Sequence, residues 1–192
     1  MADRTTRIGM PLDRFIEQSS DQPFEIINRE KRMKLPTPSG HKTIIRLLFM
    51  LLDNHNRTRK SGEVYSKTPF ILTDDNDSNW VIGARIPDVM YYPADWLSAY
   101  EAKTPNHSAR PLAVVPALVI EVASPADNEL DEKISAYLRD GVRLIWVLDP
   151  QRRQATVHAP DLKQPLYLQP NGVLEAGDVM PGFEIALAKL FE

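Results

Sequence analysis

The stretch between residues 117 and 148 constrains the fold of this chain most. Two apolar runs, 117–123 and 142–148, have the length of buried β-strands. Between them, apolar residues recur at helical spacing and a glycine follows where a helix would end: Leu130, Ile134, Tyr137, Leu138 and Gly141. A strand, a helix and a strand within about thirty residues predict a parallel pair joined by a right-handed crossover. We therefore expect an α/β fold, with a twisted mixed β-sheet flanked by helices.

Further short elements are predicted around this unit. Leu12, Phe15 and Ile16 indicate an amphipathic helix near the start, and a strongly apolar stretch predicts a central helix over about 39–54. Strands or strand-forming segments are predicted at 24–27, 32–35, 62–72, 80–92, 155–158, 166–169 and 183–187. Residues 101–116 are polar and interrupted by prolines, so we expect a surface loop there.

The length of 192 residues, 43% of them apolar, predicts one domain, with an N-terminal arm or helix over 1–20 and a core over 21–192. No apolar run is long enough to cross a bilayer, and the first residues lack the apolar stretch of a signal peptide. We therefore expect a cytoplasmic protein. Ser124 and Asp127 fit a helix capping box with Pro125 at the first helical position, and a structural role is expected for them.

The composition excludes several kinds of chemistry. The chain has no cysteine, which rules out disulfides, thiolate zinc sites and a cysteine nucleophile. The four histidines do not have helical ligand spacing, so any metal should be held by carboxylates, which favours Mg²⁺ or Mn²⁺. The chain contains neither a glycine-rich phosphate loop nor a GxSxG nucleophile motif.

The charge of the chain leaves two interpretations open for its basic residues. The net charge of −3, from 23 basic and 26 acidic residues, argues against tight non-specific binding to nucleic acid. Basic residues nevertheless cluster in two places: Arg29, Lys31, Arg32 and Lys34, and then Arg57, Arg59 and Lys60. These clusters are either solvated surface or contacts for phosphate groups.

Two carboxylates lie in unexpectedly apolar surroundings. Asp88 lies in the strand-like segment 85–90, and Glu121 lies within the most apolar predicted strand. An unpaired carboxylate is costly to bury in a sheet covered on both faces. Two such groups that meet at strand ends could share a cation, which would make them functional. Each could instead be paired with an arginine or lysine, and Asp88 could cap a turn.

A set of ordered motifs runs through nearly the whole chain. Pro87-Asp88 is followed thirty-three residues later by Glu121, which lies within Ile120-Glu121-Val122. Other segments of the set are 24–27, His41, 85–89, 119–125, Lys133, Tyr137, 141–142, 146–150 and 181–183. Together they resemble the PD-(D/E)XK nuclease superfamily and, more narrowly, the Uma-type restriction endonuclease family. A restriction-endonuclease-like fold is what this resemblance implies.

The resemblance also implies hydrolysis of DNA phosphodiester bonds with Mg²⁺ or Mn²⁺. Asp88 and Glu121, with the carbonyl of Val122, would hold the metal ion. A lysine would orient or deprotonate the attacking water and offset charge in the transition state.

The sequence departs from the superfamily pattern at this lysine. Ala123 stands two residues after Glu121, where the lysine of (D/E)XK is expected. In the Uma-type family the lysine lies on the following helix, and Lys133 matches that position. Lys133 borders the apolar stripe of the predicted helix, so it could reach the edge of the sheet. The alternative is a surface lysine paired with Glu129.

Two accessory positions and one further departure come from the same resemblance. Glu25 could be a third acid near the metal or part of a salt bridge within a hairpin. His41, at a predicted helix start, could contact phosphate or a carboxylate, or could cap or pack the helix. Arg29 stands where the family usually has a glycine, so the local turn should differ.

The leading functional expectation is a metal-dependent endodeoxyribonuclease, with DNA as substrate and a homodimer as the assembly. Two alternatives remain. The first is a non-catalytic nucleic-acid-binding or interaction protein that has kept the fold, which Ala123 and the acidic net charge favour. The second is a metal-dependent hydrolase of another substrate.

Overall fold

The computed structural model describes residues 7–34, 39–124 and 128–192. Its α-helices are α1 (Leu12–Asp21), α2 (Ser39–Arg59), α3 (Ala94–Lys103) and α4 (Leu130–Asp140). Its strands are β1 (Met10–Pro11), β2 (Phe24–Ile27), β3 (Glu30–Met33), β4 (Gly62–Ser66), β5 (Phe70–Asp74), β6 (Asp77–Arg85), β7 (Val89–Pro93), β8 (Leu118–Val122), β9 (Leu144–Asp149), β10 (Gln154–His158), β11 (Leu166–Leu168), β12 (Val173–Glu175) and β13 (Glu184–Ala186). Short 3₁₀ turns are found at His107–Ala109 and Leu187–Leu190. Within the described residues, no helix is long and apolar enough to span a membrane.

The central sheet has six strands in the order β11-β10-β9-β8-β7-β4. Strands β8 and β9 are parallel, with Leu118 opposite Leu144 and Val122 opposite Leu148, whereas the other neighbours are antiparallel. Helix α4 connects the parallel pair and ends at Gly141, whose left-handed φ of 101° closes the helix. The predicted crossover unit is confirmed.

A second sheet is entirely antiparallel, in the order β1-β6-β2-β3, with β5 also paired to β6. The chain passes from this sheet to the central one through residues 86–88, between β6 and β7. A two-stranded ladder, β12 with β13, completes the β structure of the described residues. The predicted α/β class, a twisted mixed sheet flanked by helices, is confirmed.

The two faces of the central sheet are covered by different helices. Apolar side chains of α2 pack with Leu118, Ile120 and Val122 on one face. Helix α4 covers the other face, where Ile134 and Tyr137 pack with Val119. Because side chains alternate along a strand, Glu121 belongs to the face covered by α4.

Several predicted boundaries are wrong. Helix α2 extends to Arg59 instead of ending near 54, because the buried Asn56 continues it and hydrogen-bonds to Gly62. Helix α3 occupies the beginning of the segment predicted as a loop at 101–116, and β12 was not predicted. Strand β3 begins at Glu30 instead of residue 32. The structure places Glu129 at the N-cap of α4, so Ser124 is not the cap of this helix as predicted. The other residues of that predicted cap, Pro125 and Asp127, lie outside the described residues.

The turn between β2 and β3 contains two non-glycine residues with left-handed backbone. Asn28 has φ 50° and Arg29 has φ 73°, between the paired residues Ile27 and Glu30. Two-residue hairpin turns of this kind favour glycine at the second position, because a Cβ atom is disfavoured there. Arg29 therefore occupies a left-handed position at a cost in stability that glycine would not have.

Arg29→Gly is accordingly expected to raise the free energy of unfolding by up to about 1 kcal/mol. Urea denaturation monitored by circular dichroism measures the change. Arg29→Ala removes the same guanidinium group but keeps the Cβ atom, so it should not produce this gain. Equal effects of the two substitutions would show that the backbone conformation is not the cause.

Candidate active site

Asp88 and Glu121 lie side by side at the edge where the two sheets meet. Strands β7 and β8 are antiparallel with Val89 opposite Ile120, so one further step along this register brings Asp88 opposite Glu121. Residues directly opposite each other in an antiparallel pair project to the same face. Both carboxylates therefore belong to the face covered by α4, and both residues are buried.

Asp88 is held from two sides. One carboxylate oxygen, Oδ2, accepts a hydrogen bond of 2.7 Å from the backbone N–H of Val122. The other, Oδ1, forms an ion pair with the ammonium group of Lys67. Lys67 reaches this position because β4 and β7 pair Ser66 with Val89, and the next step brings Lys67 opposite Asp88. The backbone N–H of Lys67 also donates to the Asp88 carbonyl oxygen, at 3.3 Å.

Glu121 is held by two residues of α4. Lys133 Nζ lies 2.8 Å from Glu121 Oε1, and the hydroxyl of Tyr137 donates to the same oxygen at 2.5 Å. Lys133 and Tyr137 are four residues apart, so they project from the same side of the helix toward the sheet. Both are buried, which contradicts the alternative of a surface lysine paired with Glu129.

Glu25 joins this cluster from the second sheet. Its Oε1 lies 3.3 Å from Lys133 Nζ and accepts a 2.8 Å hydrogen bond from the backbone N–H of Ile86. Its Oε2 lies 3.8 Å from Lys34 Nζ, and Lys34 also donates to the carbonyl oxygen of Ile86 at 3.1 Å. Glu25 therefore forms the hairpin salt bridge considered from the sequence, and it also contacts the proposed catalytic lysine.

The resulting cluster contains equal numbers of acidic and basic side chains. Its three carboxylates belong to Glu25, Asp88 and Glu121, and its three ammonium groups to Lys34, Lys67 and Lys133. Lys133 bridges two of the acids, whereas Lys67 pairs with the third. Lys67 is also the most exposed of the three lysines, with 34% of its side chain accessible against 5% for Lys133. A charge balance of this kind compensates the burial of the carboxylates.

The two central acids have pKa values shifted in opposite directions. Burial raises the pKa of Asp88, and the nearby charge of Glu121 adds to this, outweighing Lys67 and the Val122 N–H. Burial also acts to raise the pKa of Glu121, but Lys133, Lys34 and the Tyr137 hydroxyl outweigh it, so the Glu121 pKa is lowered. Separated values of this kind are typical of carboxylates in catalytic sites.

The basic and phenolic partners are held in their protonated forms. Burial acts to lower the pKa of Lys133, but the charges of Glu121 and Glu25 outweigh it and raise the pKa. Burial raises the pKa of Tyr137 well above its ordinary value, and Glu121 adds to this shift. Lys133 is therefore a cation and Tyr137 a neutral hydrogen-bond donor near neutral pH.

The donors of this cluster fit a hard divalent cation in a limited way. Within the described residues, no group of three or more histidine, aspartate or glutamate side chains is arranged to hold a metal ion. Mg²⁺ is commonly bound through one or two protein carboxylates, with water and substrate phosphate as the remaining ligands. Asp88 and Glu121 match that minimal set, although the Val122 contact described above uses its N–H and not its carbonyl.

His41 is not joined to the cluster by any contact among the described residues. It lies half-buried in the first turn of α2, the helix that packs on the opposite face of the central sheet. The sequence analysis in turn missed Lys67 and did not assign Lys34 or Tyr137 to the site. Lys34 belonged to a noted basic run and Tyr137 to the motif set, but no sequence signal marked Lys67.

Comparison with known proteins identifies the family of this chain. The family described as "Uma2: Putative restriction endonuclease" matches residues 12–188. The chain belongs to this family. Membership of the Uma2 family supports a nuclease function in general terms. A search of curated proteins gave no significant match.

A solved structure shares the fold. It is the crystal structure, at 1.96 Å resolution, of a putative nuclease belonging to DUF820 from Anabaena variabilis ATCC 29413. The TM-score is 0.74 with 15% sequence identity, and the match covers 95% of the Uma2 chain described here and 97% of the other chain. At this level of identity the likeness shows the fold alone.

The opposite pKa shifts of Asp88 and Glu121 predict opposite pH effects in this Uma2 chain. A raised pKa means that ionised Asp88 weakens the fold, so its contribution to stability falls as the pH rises from the ordinary carboxyl pKa through the raised one. A lowered pKa means that ionised Glu121 strengthens the fold, and this contribution is lost as the pH falls.

Asp88→Asn is therefore expected to gain stability relative to the wild type as the pH rises above about 4, whereas Glu121→Gln should be less stable than the wild type near neutral pH and should lose that difference as the pH falls below about 4.5. Urea denaturation in EDTA at several pH values measures both differences. In Asp88→Asn the asparagine oxygen can still accept the hydrogen bond from the Val122 N–H, and the side chain of Lys67 can move into solvent. Differences that do not change with pH, or that share one sign, would contradict the assigned shifts.

Proposed function

We propose that the protein is a divalent-metal-dependent endodeoxyribonuclease in which Asp88 and Glu121 hold Mg²⁺ or Mn²⁺. The observation that carries the proposal is the convergence of these two carboxylates with Lys133 in one buried cluster. Burying the four charged side chains of Glu25, Asp88, Glu121 and Lys133 together is costly, and hydrophobic residues would stabilise a sheet junction at least as well. A chemical role explains why such a cluster occurs within a nuclease family.

The proposed metal ligands are Asp88, Glu121 and the carbonyl group of Val122. When bound, the cation would neutralise charge on the phosphate and lower the pKa of the attacking water. Tyr137 and Lys133 both contact Oε1 of Glu121, so they fix the orientation of that carboxylate. The backbone N–H of Val122 similarly fixes Oδ2 of Asp88. Such contacts keep metal-binding carboxylates in one geometry.

Lys133 is the proposed catalytic cation. It is buried, charged and in contact with Glu121. It therefore lies beside the proposed metal position, where the protein and not water surrounds its ammonium group. In this environment an ammonium group stabilises negative charge that develops on a phosphate more strongly than it would in water. Because its pKa is raised, it acts as a donor and electrostatic partner and not as the base that deprotonates water.

Lys67 pairs with Oδ1 of Asp88, so a cation that binds at this oxygen would displace it. It is the most accessible of the three lysines and follows directly after the end of β4. A side chain of this kind can move into solvent at modest cost, whereas Lys133 cannot. Glu25 is the proposed accessory acid: it belongs to the second sheet and forms an ion pair with Lys133.

The proposed substrate is DNA, and the proposed assembly is a homodimer in the cytoplasm. Each chain has one such cluster among its described residues, and cutting both strands of a duplex requires two cleavage events. His41 is proposed only as an accessory contact to phosphate, because no described contact links it to the cluster. The competing proposal is a binding protein without catalysis, which Ala123 and the complete pairing of the acids with lysines favour.

Cleavage of plasmid and single-stranded DNA tests the proposal. The purified protein is incubated with each substrate in Mg²⁺, in Mn²⁺ and in EDTA, and the products are separated on gels. Cleavage that requires the divalent ion supports the nuclease. Metal-independent binding of DNA with no cleavage under any of these conditions would favour the binding protein.

A further inference from the structure

A cavity of about 440 Å³ opens directly beside the charged cluster. One wall comes from the inner side of α1, a second from the turn at residues 67–69, and a third from residues 108–111. Its volume lies within the roughly 300–1,000 Å³ of pockets that bind small molecules. Nothing in the proposed mechanism uses this cavity.

Two residues connect the cavity to the cluster. Lys67 lines the cavity and forms the ion pair with Asp88. Ile86 also lines it, and the Ile86 backbone contacts both Glu25 and Lys34. Lys67 therefore belongs both to the lining of the cavity and to the ion pair with Asp88.

The lining combines cationic, hydroxyl and apolar groups. Its charged residues are Lys67 and Arg110, and none of the lining residues in the described structure is acidic. This positive character is local, because the whole chain has a net charge of −3. Arg110 donates through Nη2 to two uncharged acceptors, the Ser78 carbonyl oxygen at 2.8 Å and Asn79 Oδ1 at 3.0 Å, which orient the guanidinium without neutralising it.

The remaining lining suits a flat organic group. Ile16 and three prolines supply accessible apolar surface, and serine residues lie at Ser19, Ser20 and Ser108. An anionic group near Lys67 and Arg110, joined to a flat ring and a polar sugar, matches this distribution of chemistry. A purely apolar ligand would leave both cations without a partner from the ligand.

We propose that this cavity binds the nucleotide next to the phosphodiester bond that is cut. The proposal rests on the proposed nuclease function. Lys67 and Arg110 face the phosphate of that nucleotide, and the base packs against the apolar wall. Because the cavity has room for only one such unit, the base must be unstacked, as it is in single strands or when it is turned out of a duplex. A single strand is therefore preferred over a duplex of the same sequence.

Ala109→Trp and Arg110→Met test this site by separate means. Ala109 is exposed at the rim, so a tryptophan fills the cavity without disturbing the core, and Arg110→Met removes one of its two cations. Matched controls are Ala102→Trp and Arg152→Met, which change an exposed alanine and an exposed arginine elsewhere. Thermal denaturation checks that all four variants fold.

Fluorescence anisotropy with a labelled single-stranded oligodeoxynucleotide in EDTA measures binding without cleavage. Each cavity variant should bind about tenfold more weakly than the wild type, and each control within about twofold. An oligonucleotide with abasic sites keeps its phosphates and should bind the wild type about tenfold more weakly. That probe should also be insensitive to Ala109→Trp.

Equal binding of the strand by wild type and Ala109→Trp would overturn the site, even if the wild type cuts DNA normally. Conversely, loss of binding in the cavity variants, in a protein that cuts nothing with any metal, would leave the site standing and refute the nuclease. Thymidine monophosphate is the third probe. If it competes as strongly as the strand, the cavity serves a free nucleotide and the assignment to a substrate strand is wrong.

Discussion

Asp88→Asn is expected to reduce metal-dependent DNA cleavage by about a hundredfold or more, the usual scale for removing one group that acts on the transition state. The substitution removes a negative charge at the proposed cation position but keeps an oxygen that accepts the Val122 hydrogen bond. Since the pKa of Asp88 is raised, the variant should be at least as stable as the wild type near neutral pH. Loss of cleavage could then not be attributed to unfolding.

Glu121→Gln should lose cleavage to a similar extent but for a less specific reason, because it also leaves Lys133 with one acidic partner fewer. Asp95→Asn, at an exposed position in the first turn of α3, is the matched control and should cut at the wild-type rate. Rates come from the conversion of supercoiled plasmid in Mg²⁺ and in Mn²⁺. An Asp88→Asn variant that cuts as fast as the Asp95→Asn control would remove Asp88 from the mechanism.

Lys133→Met is expected to lower the free energy of unfolding by about 3–5 kcal/mol near neutral pH. The side chain is buried between Glu121 and Glu25, at 2.8 Å and 3.3 Å, and its loss leaves two buried carboxylates without this cation. An exposed helical lysine would contribute only a few tenths of a kcal/mol. The free energy of unfolding of this variant therefore measures how much the buried ion pairs of Lys133 with Glu121 and Glu25 contribute.

Urea denaturation in EDTA provides the measurement, and Lys42→Met, at an exposed position of α2, is the control. The control should change stability by no more than about 0.5 kcal/mol. The double variant Lys133→Met with Glu121→Gln should be less unstable than the sum of the two single changes, because the pair is then removed together. A Lys133→Met variant as stable as its control would mean that the lysine is not buried in solution.

The part of the fold predicted best is the part whose elements are close in sequence. Strands β8 and β9 and helix α4 follow one another, and each carries a strong apolar pattern. Predicting that Asp88 and Glu121 meet required one long-range pairing, which the resemblance to a known motif supplied. The structure brings these two acids together in one charged cluster.

Helix α3 was missed because it lacks the apolar stripe that identifies a helix. Only Leu97 is buried among its ten residues, so it has no repeating apolar face. The end of α2 was misplaced for a related reason, since its last turns are polar and are held by Asn56, which contacts Gly62 and Ser61. Such contacts depend on what the helix packs against.

Lys67 could not be assigned to the site from sequence because its role depends on strand register. Only the pairing of Ser66 with Val89 brings it opposite Asp88. Glu25 and Lys34 likewise reach the cluster because the second sheet meets the first at Ile86. A lysine that follows a strand is common in sequences. Lys67 and its ion-pair partner Asp88 are 21 residues apart, and only the strand pairing of the folded sheet brings them together.

The most direct test of the proposed metal site is a crystal soaked in Mn²⁺, with anomalous scattering used to locate the ion. We expect a peak within coordination distance of both Asp88 and Glu121, about 2.0–2.3 Å from their oxygens, with Lys67 displaced from Asp88. The peak should be absent from crystals of Asp88→Asn treated in the same way. An ordered ion bound elsewhere, or a peak at this position that survives Asp88→Asn, would contradict the account.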